Sequence, residues 1–234
     1  MECAKVRLGG QARPCPGLAT FAPMHSNKQR VLVLAPHTDD GELGCGGTIA
    51  RFCREGRDVY YVAFSIATRS LPAGWAPDTL AKEVAAATQV LGIPSQNLFL
   101  YDYDVRRFKE FRQDILEELV KLGKQLQPDL IFVPSPTDIH QDHQVISEEG
   151  LRAFKNKTIL GYEMPWNNLS FNTRSFSILS DEDVATKVAA LSCYKSQAHR
   201  PYVNENFIRS LATTRGVQIG TTWAEAFEVI RFIF

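Results

Sequence analysis

Short apolar runs alternate along this chain with longer segments of helical period, and this alternation is the strongest constraint on its fold. The runs at 31–35, 59–64 and 130–133 have strand length and are rich in Val, Ile, Phe and Tyr. Between them, at 78–91 and 106–127, apolar residues recur every three or four positions, as on one face of a helix. Strands that alternate with helices form βα units around a mostly parallel sheet. We therefore predict an α/β fold.

The remaining pattern completes this fold and contains no second domain. No stretch rich in Pro, Ser or Gly resembles a linker, so we predict one domain over 29–234. Hydrophobic residues at 1–28 are broken up by Gly, Pro and Arg, and we interpret this segment as an irregular N-terminal extension. Further predicted elements are a helix at 45–55, strands at 98–101, 159–163, 175–179 and 227–234, and helices at 182–194 and 204–216.

Composition is that of a globular protein in a reducing compartment. The chain has 26 basic and 26 acidic residues, which gives no electrostatic reason to expect a nucleic-acid partner. Its apolar runs are far shorter than the about 20 residues that cross a bilayer, so we expect no transmembrane segment. Five cysteines occur without a CxxC pair. We therefore expect reduced thiols and a cytoplasmic protein.

Two clusters of polar residues each follow a predicted strand. The first is PHTDDGELGCGGT at 36–48, and the second is PSPTDIHQDHQ at 134–144. Together they contain three of the five histidines of the chain. Because the carboxyl ends of parallel strands share one edge of a sheet, we expect the two clusters to converge there.

These clusters contain the donors of a metal site. Zinc binds imidazole nitrogen and carboxylate oxygen, and catalytic zinc sites usually have three protein ligands. His37 and Asp40 are three residues apart in a tight turn, and His143 comes from the second cluster. We predict these three residues as the metal ligands. The same donors also suit ferrous iron.

The neighbouring polar residues are candidates for proton transfer. Asp39 lies beside a ligand and is the natural base to take a proton from water as it attacks a carbonyl carbon. His140 is a candidate to stabilise the oxyanion or to protonate the leaving amine. We predict that Asp142 orients the imidazole of His140.

The two clusters resemble the paired signatures of the PIG-L/LmbE-like metal-dependent deacetylases. They read His-Thr-Asp-Asp-Gly-Glu and His-Gln-Asp-His here, with Thr and Gln where proline is common in that family. The resemblance implies a Rossmann-like domain with its active site at the carboxyl edge of the sheet. It also implies zinc ligands at His37, Asp40 and His143, a general base at Asp39 and an assisting role for His140.

The resemblance extends to KEVAAATQVLGI and RGVQIGTTWAEAF, so that it covers the chain from about residue 30 to its end. It implies removal of the acetyl group from an N-acetylglucosamine unit or its conjugate, with acetate as product. By analogy with the family, Arg69 in the loop after the second strand is a candidate to bind the substrate. The carrier of the sugar and the oligomeric state, including a homo-oligomer, stay open.

Other interpretations remain at this stage. Glu42 either hydrogen-bonds within its turn or favours the positive end of the next helix. The activity is either deacetylation or cleavage of a larger acyl or thiol-conjugate amide, and a binding subunit without turnover is a further alternative. A nucleotide site is disfavoured because the glycine spacing is not the dinucleotide fingerprint. The candidates for an aromatic wall of a sugar pocket are Trp75, Tyr103, Trp166, Tyr194 and His199.

Overall fold

A seven-stranded sheet forms the centre of the molecule in the computed structural model, which describes residues 29–234. The strands are β1 (Arg30–His37), β2 (Asp58–Ser65), β3 (Leu98–Leu100), β4 (Leu130–Pro134), β5 (Thr158–Tyr162), β6 (Ser175–Leu179) and β7 (Trp223–Arg231). The helices are α1 (Asp40–Arg54), α2 (Thr79–Val90), α3 (Arg112–Leu126), α4 (Gln141–Ala153), α5 (Asp181–Leu191) and α6 (Glu205–Val217). The predicted N-terminal extension at 1–28 lies outside the described residues.

The strand order is β3-β2-β1-β4-β5-β7-β6. Strands β1 to β5 are parallel to one another, whereas β7 runs antiparallel to both of its neighbours, β5 and β6. The chain leaves β1 toward β2 and β3 on one side and later crosses to β4 on the other side of β1. The order therefore reverses between β1 and β4, which is where open α/β sheets bind ligands. The predicted α/β fold with a mostly parallel sheet is confirmed.

Alternate residues of the central strand β1 belong to two hydrophobic cores. Val31 and Val33 pack on one face with apolar residues of α1, α2 and α5. Leu32 and Leu34 pack on the other face with apolar residues of α3 and α4. Both faces of the sheet are thus covered by helices, which explains why the central strands are nearly continuous hydrophobic runs. Within residues 29–234, none of the helices combines the length and the apolar character that a membrane span requires.

Two helices differ from the predicted pattern, and both carry site residues. Helix α1 begins at Asp40 and not at 45, and it is kinked at Cys45, whose φ is −146° and ψ 23°. The first turn of α1 was not predicted because this part of the chain is rich in glycine, which is a poor helix former. One of these glycines, Gly41, is required by packing, because a Cβ there would lie 2.5 Å from the Tyr61 ring.

Helix α4 begins inside the second polar cluster at 134–144, where no helix was predicted. It begins at Gln141, and the side chain of His140 accepts a hydrogen bond from the backbone N–H of Asp142 as its N-cap. Histidine is not among the residues that usually mark this position, so the start of the helix has no standard signal in the sequence. As a consequence, His143 lies in the first turn of a helix and not in a loop.

Candidate active site

The two polar clusters meet at the carboxyl edge of the sheet, between β1 and β4. His37 is the last residue of β1 and Asp40 the first of α1, while His140 caps α4 and His143 lies in its first turn. The strands β1 and β4 are adjacent and parallel, so the segments that follow them lie side by side.

Asp40 lies between the imidazoles of His37 and His143. Its Oδ2 is 3.0 Å from His37 Nδ1 and 3.2 Å from His143 Nε2. All three residues offer ligand atoms within 4.8 Å of one another, a spacing that could hold a metal ion. Asp40 and His143 are buried and His37 is half-buried, so the cluster is reached from one side.

Each imidazole is also held by a second carboxylate on its far nitrogen. Asp142 Oδ2 lies 3.1 Å from His37 Nε2, and Asp138 Oδ2 lies 2.7 Å from His143 Nδ1. Both carboxylates are fully buried. A carboxylate on the outer nitrogen fixes the orientation and tautomer of a metal-binding histidine and makes it a more basic ligand. Asp138 was not among the predicted site residues, although it lies in the second polar cluster.

The electrostatics of the cluster favour positive charge at its centre. Burial lowers the pKa of His37, but the charge of Asp40 and hydrogen bonds to Asp142 and Asp40 outweigh it and raise that pKa to about 9. Burial likewise lowers the pKa of His143, and the charge of Asp40 with hydrogen bonds to Asp138 and Asp40 raises it to about 10.

Asp40 shows the reciprocal effect. Burial raises its pKa, but the charges of His143 and His37 hold it well below its usual range. The cluster offers two nitrogens and one carboxylate oxygen around a point of negative electrostatic potential. Zinc and ferrous iron both bind such a donor set. The residues present therefore fit a divalent cation.

A second group of three residues, His37, His140 and Asp142, meets the same distance criterion. Its carboxylate is already engaged, because Asp142 accepts hydrogen bonds from the backbone N–H groups of Arg106 and Phe108 at 2.6 and 3.3 Å, besides contacting His37. The group that contains Asp40 is therefore the better fit to a cation.

The interpretation that the Asp142 carboxylate orients His140 is corrected by this geometry. That carboxylate contacts His37, and only the backbone N–H of Asp142 contacts His140, at 3.1 Å from Nδ1. The reason is the helix start at Gln141, which places the two residues on either side of the first helical residue. Burial and the charges of His143 and His37 lower the pKa of His140 to about 4.

Asp39 lies beside the cluster and is not one of its three residues. It precedes α1, and its side chain makes no capping hydrogen bond. Burial and the neighbouring charge of Asp40 raise its pKa to about 6. Asp39 lines the cavity next to Asp40, and its carboxylate is not engaged in a cap and can accept a proton there.

Glu42 has two buried hydrogen-bond partners that the sequence did not reveal. It is fully buried, and its carboxylate contacts the hydroxyls of Tyr61 and Tyr194, the latter at 2.9 Å. Both hydroxyls also lie within 2.9 Å of the Thr38 carbonyl oxygen. Burial raises the pKa of Glu42 to about 8 despite these hydrogen bonds. Glu42 therefore supports the turn that carries Asp39 and Asp40.

The site opens into a cavity of about 420 Å³. Of the predicted aromatic wall, Trp166 lines this cavity and stacks on Tyr202 with ring centroids 3.9 Å apart. Tyr194 instead lies at Glu42. The lining consists of His37, Thr38, Asp39, Asp40, Leu43, Ala67, Leu80, Val105, Arg106, His140, His143, Trp166, Asn167, Gln197, Arg200 and Tyr202.

Arg69 is not among these lining residues. It is exposed, and its Nε lies 3.2 Å from Asp104 Oδ1. The cavity instead contains Arg106 and Arg200, which come from the segment before α3 and the segment between α5 and α6. Neither residue belongs to a recognisable motif, so the sequence offered no signal for them.

Comparison with known proteins places the chain in a family. The family model described as "PIG-L: GlcNAc-PI de-N-acetylase" matches residues 32–154, which include both polar clusters. Among curated proteins, the uncharacterized deacetylase YaiS of Escherichia coli K12 is 31% identical over 179 residues, which cover 73% of this chain and 94% of YaiS.

Solved structures agree in fold. The N,N'-diacetylchitobiose deacetylase of Pyrococcus horikoshii superposes with a TM-score of 0.71 at 22% identity, covering 87% of this chain and 84% of that one. GalB, the 4-carboxy-2-hydroxymuconate hydratase of Pseudomonas putida KT2440, gives 0.69 at 19% identity, covering 88% and 98%. These two proteins differ in reaction, so the shared fold does not by itself fix the chemistry. The family match and the similarity to YaiS do establish membership: this chain belongs to the PIG-L family.

Proposed function

We propose that the protein is a zinc-dependent hydrolase that removes the N-acetyl group from an N-acetylglucosamine-type sugar or its conjugate. The observation that carries this proposal is the position of Asp39, a carboxylate without a capping role, directly beside the His37, Asp40 and His143 cluster. A protein that only bound a cation would not need this extra carboxylate. The cavity of about 420 Å³ falls within the usual range for small-molecule sites.

The three ligands would hold the cation, and the remaining residues handle protons. The ion would supply Lewis-acid polarisation of the amide carbonyl and of the attacking water. Asp39 takes the proton of the attacking water as the new C–O bond forms. When the C–N bond breaks, that proton is available to the leaving nitrogen, so the products are acetate and a free amine.

His140 stabilises the oxyanion in this proposal. Its Nδ1 accepts the backbone N–H of Asp142, so the neutral ring carries its proton on Nε2. Because His140 lines the cavity, its Nε2–H group is a candidate donor to the oxygen that becomes negative during attack. The geometry thus favours the oxyanion role over protonation of the leaving amine.

Acetate release tests the proposal. Zinc-loaded protein would be incubated with a panel of N-acetylated amino sugars that differ in their substituent at C1, and with the corresponding N-propionyl and N-butyryl sugars. We expect acetate from members of the N-acetyl series, and none after chelation. Preferential cleavage of the longer acyl groups would instead favour the related amidase. The absence of turnover throughout, with zinc firmly bound, would favour a binding protein.

A further inference from the structure

The two arginines of the cavity, Arg106 and Arg200, differ from most other arginines of residues 29–234. Most of those pair with a carboxylate, as Arg69 does with Asp104 and Arg215 with Glu163. Within the described part of the chain, neither cavity arginine has a carboxylate oxygen within the 4.0 Å that defines an ion pair. Neither arginine of the cavity lining is therefore paired with a carboxylate, although the charge of Arg200 partly offsets the rise in the pKa of Asp39 that burial causes.

Arg200 is held in place by neutral partners. Its Nε donates to Gln197 Oε1 at 2.6 Å, and its Nη1 donates to the Tyr202 hydroxyl at 2.6 Å. These contacts leave Nη2 without a protein acceptor among the described residues. Since the guanidinium is fixed but not neutralised, it is preorganised to bind an acceptor that comes from outside the protein.

The partners of Arg200 are themselves anchored. Gln197 is buried and donates to Ser196 Oγ at 3.0 Å, and Ser196 in turn donates to the buried Glu83 of α2 at 2.6 Å. On the other side, Tyr202 stacks on Trp166. Arg200 thus belongs to a wall that reaches from the core to the cavity, and not to a freely moving surface loop.

Arg106 reaches the cavity by a different route. Its φ is 66°, in the left-handed region that non-glycine residues seldom adopt. Its backbone N–H donates to Asp142 Oδ2 at 2.6 Å, which links this segment to the cation site. A strained backbone at a non-glycine residue often marks a functional site. Glycine would relieve the strain here, yet the position is occupied by arginine, an exposed residue that lines the cavity.

We infer that Arg200, assisted by Arg106, forms a subsite for an anionic group of the substrate. The natural substrate would then be an amino sugar that carries a phosphate or carboxylate group. This inference rests on the proposed function, because it assumes that the cavity binds the substrate of the cation site. Arginine matches both groups, since its parallel N–H groups pair with two oxygens of a carboxylate or phosphate.

Calorimetry with three sugars tests the subsite. The full-length, zinc-loaded Asp39→Asn protein would be titrated with N-acetylglucosamine, N-acetylglucosamine 1-phosphate and N-acetylmuramic acid at one fixed ionic strength. The neutral sugar is the reference, and the other two separate a phosphate from a carboxylate. We expect at least one of the anionic sugars to bind at least about tenfold more tightly than the neutral one, as charge-assisted hydrogen bonds would give.

Three variants in the same background locate the effect. Arg200→Gln should remove the preference for the anionic sugar, measured as the ratio of the Kd values of the neutral and the anionic sugar. Arg106→Gly, which suits the left-handed backbone and keeps the N–H, should reduce the preference. Arg209→Gln, which breaks an exposed ion pair on α6, should leave it unchanged. Circular dichroism melting would verify that each variant is folded.

The outcomes separate the two proposals. Three results would overturn the anion subsite. They are equal affinity for neutral and anionic sugars, no measurable binding of any of the three, and a preference that survives Arg200→Gln. Acetate release by the unaltered protein is measured in parallel. A preference that depends on Arg200 without acetate release would keep the subsite and reject the deacetylase. Acetate release without a preference would do the reverse.

Discussion

His37 is held between two carboxylates, with Nδ1 3.0 Å from Asp40 Oδ2 and Nε2 3.1 Å from Asp142 Oδ2. The inner carboxylate is a candidate metal ligand and the outer one orients the ring. We expect Asp142→Asn to weaken zinc binding by about 10- to 100-fold, because the ring loses a charged acceptor that fixes its tautomer. Competition with a chromophoric chelator would measure the change in zinc Kd.

Asp138 provides a matched test through the other imidazole. Its Oδ2 lies 2.7 Å from His143 Nδ1, so Asp138→Asn should weaken zinc binding to a similar degree. Asp114→Asn, an exposed position on α3, is the control and should leave the zinc Kd unchanged. Unchanged zinc affinity in both Asp142→Asn and Asp138→Asn would show that the outer carboxylates do not support the site.

The buried contacts of Glu42 predict a loss of stability when a tyrosine hydroxyl is removed. Tyr194→Phe deletes a hydroxyl 2.9 Å from Glu42 Oε1 and leaves that buried oxygen with one partner fewer. We expect the free energy of unfolding to fall by about 1–3 kcal/mol, as measured by urea denaturation. The control is Tyr162→Phe, whose hydroxyl donates only to the Leu34 carbonyl at 2.9 Å. Equal losses in both variants would argue against a special role of Glu42.

The kink of α1 depends on a buried ion pair. Glu225 of β7 accepts the backbone N–H groups of Gly47 and Thr48 at 2.9 and 2.7 Å, and Lys187 Nζ lies 2.7 Å from Glu225 Oε1. We expect Lys187→Met to lower the free energy of unfolding by about 3–5 kcal/mol, because it leaves a buried carboxylate unpaired.

An exposed pair gives the comparison for that variant. Lys82 lies 2.6 Å from Asp78, but both side chains are largely exposed, so Lys82→Met should cost less than about 1 kcal/mol. Urea denaturation of the two variants side by side measures the difference. Similar costs for both would contradict the assignment of Lys187 as a support of the kinked helix.

Two tryptophans that were both candidates to line the sugar pocket, Trp75 and Trp166, differ in their positions in the structure. Trp166 lines the cavity and stacks on Tyr202, whereas Trp75 is 43% exposed and does not line it. We expect Trp166→Ala to raise KM about fivefold, since an aromatic contact is worth about 1 kcal/mol, with little change in kcat. Trp75→Ala should leave KM unchanged. Steady-state acetate release would measure both, and a larger KM change in Trp75→Ala would contradict this assignment.

The convergence of the candidate metal ligands could be predicted from the sequence because it follows from topology. His37 and His143 come after two hydrophobic runs that form adjacent parallel strands, so their proximity requires only the strand order. The contact of Asp142 with His37 depends on where α4 begins and on how two rings are oriented, and no sequence pattern specifies either.

The arginines of the cavity wall could not be predicted, because their positions depend on contacts between distant residues. Arg106 and Arg200 lie in irregular segments whose course is fixed by hydrogen bonds to distant residues, such as that from Arg106 to Asp142. Hydrophobic periodicity carries no information about such segments. Arg69 was a candidate only by analogy, and its position beside Asp104 depends on packing that the pattern does not encode.

The most direct test of the whole account compares Asp39→Asn with Asp40→Asn. Zinc content after dialysis and acetate release from an N-acetylated amino sugar would be measured on the same preparations. We expect Asp39→Asn to retain about one zinc ion per chain and to lose at least about 100-fold in kcat, because it keeps the ligands and lacks the base. Asp40→Asn should lose zinc and activity together. Turnover at the unaltered rate in zinc-loaded Asp39→Asn, or full zinc retention in Asp40→Asn, would contradict the assigned roles.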